Sequence, residues 1–314
     1  MINFSVVIPL YNKADTIART LESVQAQTYK SFEVVIVDDG SSDGGRAVAM
    51  SFIGRIPLRI VAQKNLGVSV ARNKGAQESV GRYIAFLDAD DEWYPDYLYE
   101  LSRILVKFPG AKVIGTDYEF TINKKIISGK GSNNIEEIDL FDEWPLRNPV
   151  NSSTVAIRRD FFIESGGFNK EFRYYEDAEF LFRLALRTKF HISRRVLCRY
   201  NTDALCRATG KGYDPCAYPH WNMAERLIAS ETAPQSLISC ATKDIELRVW
   251  GDARRLNVEG IRRLAKAYPS TFRKIKLSKF LVHKVGLIVL YPWVICMSIC
   301  VRMLVRSKIR IKRV

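Results

Sequence analysis

The first 120 residues alternate between short, β-branched apolar runs and helix-like segments, and few patterns restrict a chain's fold more tightly. The runs FSVVIPL, FEVVIVDD, LRIVAQ, YIAFLDAD and KVIGTDY are strand-like. Between them lie IARTLESVQAQ, a stretch around RAVAMSF, VSVARNKGAQES and DYLYELSRILVKF, each with helical character. Strands that are apolar throughout and separated by helices predict an α/β fold, with a mostly parallel, Rossmann-like sheet covered on both faces. Ligands of such sheets bind at the carboxyl ends of the strands. Here those ends carry Pro9 and Tyr11, then Asp38 and Asp39, then Asn65, then Asp88 and Asp90.

The fourth strand runs into FLDADDEWYPD, which sets Asp88, Asp90 and Asp91 within four positions. Mutual repulsion among three carboxylates is relieved by a cation. Hard carboxylate oxygens suit Mg²⁺ or Mn²⁺, and magnesium is usually held by one or two carboxylates plus substrate phosphates. The alternative is a helix cap, with Asp91 or Asp96 opening DYLYELSRIL. Capping uses one acid and leaves the others unexplained. VVIVDDGSSD has the same strand-to-acid shape, and its carboxylates suit a base or ribose, although the segment is also a good turn. Neither GxGxxG nor GxxxxGK[ST] occurs, so the dinucleotide and P-loop readings lack their phosphate loops.

Beyond residue 120 the pattern loosens into a polar turn (NKKIISGKGSNN), a strand (STVAIRR), the turn-rich SGGFNKEF and a helix, YYEDAEFLFRLALRTK. From about 213 the chain reads as helical and increasingly basic. The net charge of +14 is not spread evenly. All 34 acids lie within residues 1–259, together with 34 of the 48 basic residues; residues 260–314 hold 14 Lys and Arg and no acid. Within that tail, 285–301 (VGLIVLYPWVICMSICV) is uncharged and basic on both flanks. The run is at the lower length limit for a membrane span and contains Gly286 and Pro292. A helix lying in an anionic leaflet is therefore expected ahead of a span or a buried C-terminal helix. A nucleic-acid reader would spread basic and aromatic residues over a recognisable module, so none is expected as a partner. The six cysteines lack CxxC spacing and read as free thiols. The opening MINFSVVIPLYNK has no basic leader, and no secretory signal is expected.

Five blocks, VVIPLYNKADTIARTLESVQAQT, FEVVIVDDGSSD, KNLGVSVARNKG, GRYIAFLDADDEWYPDYL and GGFNKEFRYYEDAEFLFRLAL, resemble in order and spacing the family-2 inverting glycosyltransferases of the GT-A fold. The resemblance covers roughly residues 3–190 and is of the bacterial surface-polysaccharide type. It implies a GT-A domain over residues 1–210, with a nucleotide-binding half (1–120) and an acceptor half (121–210). A helical region follows (211–314), its tail from about 260 membrane-associating. By the same resemblance, Pro9, Tyr11 and Asp39 bind the uridine and Arg72 lies near the nucleotide. Asp88 faces the ribose, Asp90 holds Mn²⁺ or Mg²⁺ on the diphosphate, and Asp177 is the general base. Glu176 and Glu179 read as structural helix charges. The expected activity is sugar transfer from a nucleotide-diphosphate donor, UDP-linked, to a hydroxyl of a polyprenyl-diphosphate-linked oligosaccharide. The expected location is the cytoplasmic face of the cell membrane. The rivals are a nucleotidyltransferase, which would show a basic phosphate-gripping loop where this chain has PLYNKADT, and a non-catalytic membrane-docked scaffold.

Overall fold

The computed structural model describes residues 3–122, 125–129, 131–144, 148–201, 218–254 and 257–275. The chain divides into two compact units, Met1–Tyr213 and Asp214–Val314.

The first unit opens with β1 (Phe4–Leu10), α1 (Ile17–Gln25), β2 (Phe32–Asp38), α2 (Gly45–Met50), β3 (Leu58–Ala62), α3 (Val68–Glu78) and β4 (Tyr83–Phe86). Strands β3, β2, β1 and β4 lie side by side and parallel. The register sets Leu10 beside Asp38 and Asp38 beside Ala62, so the strands deliver their loops to one edge. One face of this sheet packs Phe4, Val6 and Ile8 against Ile17, Leu21 and Val24 of α1. The other face receives α3, whose buried residues include the small Ala71, Gly75 and Ala76. A Cβ on Gly75 would stand 2.3 Å from Val7 Cγ1, so only glycine lets α3 lie this close.

The rest of the unit contains β5 (Glu92–Trp93), α4 (Tyr97–Lys107), β6 (Val113–Ile122), β7 (Lys125–Ser128), β8 (Ile135–Ile138) and α5 (Leu140–Glu143). A 3-10 turn (Ser152–Thr154) then leads into β9 (Val155–Arg158), α6 (Arg159–Glu164), α7 (Glu176–Ala185) and β10 (Phe190–Tyr200). Among the described residues the sheet has ten strands and is mixed rather than mostly parallel: β9 lies antiparallel between β4 and β6. That reversal has a functional consequence. It brings the start of β9, and the serines of its 3-10 turn, to the carboxyl end of β4. The segment expected as a polar turn instead contains β7, which pairs antiparallel with β6.

In the second unit the described elements are helices: α8 (Pro219–Ala229), α9 (Gln235–Arg254), α10 (Val258–Ala267) and α11 (Pro269–Lys274). Glu225 of α8 caps α11, accepting from the Thr271 amide at 2.9 Å and the Thr271 hydroxyl at 2.6 Å. Among the described residues no helix is long and apolar enough to cross a membrane. The apolar run 285–301 lies outside the described residues.

Candidate functional site

The loop after β4 is fastened from three directions, and its three acids have three different tasks. Helix α1 and the residues before it supply the first set of contacts. Thr16 Oγ1 donates to the Ala89 carbonyl (2.7 Å), Arg19 to the Asp90 carbonyl (3.2 Å) and Thr20 Oγ1 to the Asp91 carbonyl (2.8 Å). The 3-10 turn supplies the second. The Asp88 amide donates to Ser153 Oγ (3.1 Å), which itself donates to Asp91 Oδ2 (2.6 Å), and Ser152 Oγ donates to Asp88 Oδ2 (3.1 Å). The end of β10 supplies the third: the Asn201 amide donates to Asp91 Oδ1 (3.0 Å) and its side chain to the Asp90 carbonyl (2.8 Å).

Asp91 is therefore an internal clamp, fully buried and hydrogen-bonded on both oxygens. Burial, then the charges of Asp88 and Asp90, push its carboxyl well above the usual range, against the hydrogen bonds from Ser153 and Asn201. The capping alternative does not hold for Asp91. Helix α4 begins after Asp96, whose side chain makes no capping bond and instead accepts from Thr28 Oγ1 at 3.1 Å. Asp88 faces Arg72, with Oδ1 at 2.7 Å from Nη2. Asp90 faces Lys13, with Oδ2 at 2.7 Å from Nζ. Burial and the neighbouring Asp88 raise the Asp90 carboxyl, against the pull of Lys13.

Arg72 joins the strand-end loop to Glu176, a residue 104 positions further along the chain than the arginine itself. It is 3% exposed, and while Nη2 holds Asp88, Nη1 donates to Glu176 Oε1 at 2.8 Å. Its guanidinium also lies over the Phe168 ring, 5.1 Å from the centroid. Burial opposes its charge, but Asp88 and Glu176 outweigh burial and hold the guanidinium protonated. The next residue of α3, Asn73, exchanges hydrogen bonds with the Phe168 backbone at 2.8 and 2.9 Å. Gly167 gives this contact its room: its φ is +66°, and a Cβ there would lie 2.4 Å from Asn73 Oδ1. Residues 72 and 73 thus dock the segment leading to α7 against the sheet.

At the start of α7, Tyr175 adopts φ +57°, an uncommon conformation for an aromatic residue. Glu176 and Asp177 follow in the first turn. The dipole of α7 favours an ionised carboxylate at Asp177, in its first turn. The structure adds an opposing effect: burial raises its carboxyl, Arg72 and the Ala178 amide (2.7 Å) lower it, and Asp88 raises it again. The net direction is upward. Glu176 moves the same way, through burial opposed by Arg72.

The remaining candidates sit along the same edge. Pro9 is half-buried near the end of β1, and Tyr11 is exposed just beyond it. Asp39 is buried and already accepts from Gln63 Nε2 (2.7 Å), the Leu66 amide (2.9 Å) and the Gly67 amide (2.9 Å). A carboxylate offers about four acceptor positions, so Asp39 has roughly one left for a ligand. Sequence reasoning missed Lys13, Ser152, Ser153 and Asn201 and assigned Glu176 no site partner. Only Glu176 had a signal, its place beside Asp177. Among the described residues no three His, Cys, Asp or Glu side chains converge on a preformed metal cage.

Residues 5–166 match the family model described as glycosyl transferase family 2. The amylovoran biosynthesis glycosyltransferase AmsB of Erwinia amylovora is 38% identical over 113 residues, 35% of this chain and 38% of that protein. The uncharacterized glycosyltransferase YibD of Escherichia coli is 44% identical over 97 residues, 31% of this chain and 28% of that protein. The matched stretch therefore spans well under half of either relative. Among solved structures, S. aureus TarS 1-349 in complex with UDP-GlcNAc superposes with a TM-score of 0.69 at 16% identity, over 86% of this chain and 81% of that one. The mannosyltransferase PcManGT of Pyrobaculum calidifontis, in complex with GDP-Man and Mn²⁺, gives 0.54 at 17% identity, over 94% and 82%. A family match over more than half the chain and a shared GT-A-type fold lead to one statement: this chain belongs to glycosyltransferase family 2.

Proposed function

We propose that the chain moves a sugar, with inversion, from a nucleotide-diphosphate donor to an acceptor hydroxyl. The observation that carries this reading is Arg72, which ties Asp88 of the strand-end loop to Glu176, the neighbour of Asp177. Pro9, Tyr11, Asp39 and Asp88 bind the nucleoside, and Arg72 orients both carboxylates. Asp177 takes the proton from the attacking hydroxyl. Its upward-shifted carboxyl suits that work, because a general base is most effective when its pKa lies near the working pH.

Asp90 is the residue that would hold Mn²⁺ or Mg²⁺. Its hard oxygen donors fit the ion, and its carboxylate already faces a cationic partner. When bound, such an ion neutralises, as a Lewis acid, the charge that develops on the departing nucleoside diphosphate. We assign UDP as the nucleotide, a reading consistent with the complex that TarS forms with UDP-GlcNAc. The acceptor we assign is a polyprenyl-diphosphate-linked oligosaccharide of a surface polysaccharide. The part that AmsB plays in amylovoran biosynthesis supports that class. The basic tail with its uncharged run 285–301 supports placement on the cytoplasmic face of the membrane, with anionic lipid as the partner.

A thermal-shift panel of nucleotide sugars with Mn²⁺ tests the donor class. A ligand present at 100 times its Kd adds about 2.7 kcal/mol to the folded state, which moves the melting temperature by several degrees. A UDP-sugar should give the largest shift. A panel in which UDP-sugars shift nothing and another nucleotide sugar does would replace the nucleotide. A flat panel would count against donor binding altogether.

A further inference from the structure

The loop after β1 contains a cation that the catalytic reading leaves without work. We propose that Lys13 is a further donor-site residue: a resident counter-ion of Asp90, exchanged for the divalent cation and passed to the donor's diphosphate. The proposal rests on Asp90 being the metal ligand.

The pair is tight but not sealed. Nζ and Oδ2 are 2.7 Å apart, and the two side chains are 14% and 17% exposed. A fully buried pair would resist exchange, whereas a solvated one would contribute little. The backbone carrying Lys13 is fixed on both sides. Asn12 sits at φ +50°, donates its amide to Ser41 Oγ (3.2 Å) and accepts from the Ser42 amide (2.9 Å). The Ala14 amide donates to Asp43 Oδ2 at 2.7 Å. If the ammonium leaves Asp90, it does so by turning its own side chain, and it stays on the edge where the strands deliver their loops.

The Asp90 loop does not depend on Lys13 for its shape. Its carbonyls are held by Thr16, Arg19, Thr20 and Asn201. Removing the lysine thus removes a charge without dismantling the loop. A divalent ion on Asp90 and an ammonium at hydrogen-bond distance repel each other, so the two compete. A diphosphate resolves the competition, because its oxygens accept charge-assisted hydrogen bonds from the displaced ammonium. Metal and nucleotide then bind cooperatively, each favouring the other by the same factor.

The test measures Mn²⁺ binding from the free-ion paramagnetic resonance signal, for wild type, Lys13→Met and Lys13→Arg, with melting curves checking the fold. Without nucleotide, Lys13→Met should bind Mn²⁺ at least about tenfold more tightly than wild type, and Lys13→Arg should resemble wild type. Adding UDP or GDP should tighten Mn²⁺ binding in wild type and much less in Lys13→Met. Unchanged or weaker Mn²⁺ binding by a folded Lys13→Met would overturn the role of Lys13 while leaving Asp90 as a metal ligand. If no protein binds Mn²⁺ even with either nucleotide, Asp90 is not a metal ligand and both readings fall.

Discussion

Asp177→Asn is expected to slow sugar transfer by about 10²- to 10⁴-fold while donor binding stays near the wild-type level. The amide matches the carboxylate in shape, so the first turn of α7 should persist, but it cannot take a proton from the acceptor hydroxyl. The rate at saturating donor and the donor Kd, measured separately, check the expectation. The pH profile adds a second test. Burial raises the Asp177 carboxyl, and a base works only when ionised, so activity should fall with acidity at a pH above the usual carboxylate range. Glu176→Gln behaves differently, because Glu176 is a partner of Arg72. It should lower stability and donor binding and leave the transfer step at saturating donor largely intact. Equal loss of transfer in both variants, or near-full transfer by Asp177→Asn, would remove Asp177 from the role.

Arg72→Met should destabilise the first unit by roughly 3–5 kcal/mol, the usual consequence of stripping one partner from a buried ion pair. Here two carboxylates, Asp88 and Glu176, lose their cation together. Arg72→Lys should recover only part of the loss, because an ammonium lacks the fork that reaches both. Urea denaturation measures the difference, and its pH dependence identifies the cause. In the variant the buried Glu176 carboxyl, already raised in the wild type, loses the guanidinium that opposes the rise, so the folded state gains a proton first and the deficit shrinks as the pH falls from 7 toward 5. A deficit independent of pH would mean that the loss is one of packing against Phe168 instead.

Where sequence and structure diverge, the causes are specific. Strands β1, β2 and β4 carry near-continuous apolar runs and are buried along almost their whole length, and that pattern is legible in one dimension. Strand β10 is not, because HISRRVLCRY contains arginines. Arg194 is nonetheless 1% exposed, its charge met by Glu136, Glu143 and Asp117 from three other elements. No local pattern reveals a cation satisfied by residues 51 to 77 positions away. The antiparallel insertion of β9 was equally hidden, since alternating elements say nothing about where a later strand enters the sheet. The acids of FLDADDEW were visible as a cluster, but their division of labour was not. Asp91 differs from Asp90 because Ser153 and Asn201, 62 and 110 residues downstream, reach it.

The decisive measurement is a calorimetric titration of UDP-sugars, with and without Mn²⁺, into wild type and Asp90→Ala. Wild type should bind at least one UDP-sugar in a manner that needs Mn²⁺. Asp90→Ala, its loop still held by Thr16, Thr20 and Asn201, should keep its fold and lose the metal-dependent part of binding. Binding by Asp90→Ala with unchanged Mn²⁺ dependence would contradict the assignment of this strand-end loop as the donor site's metal position.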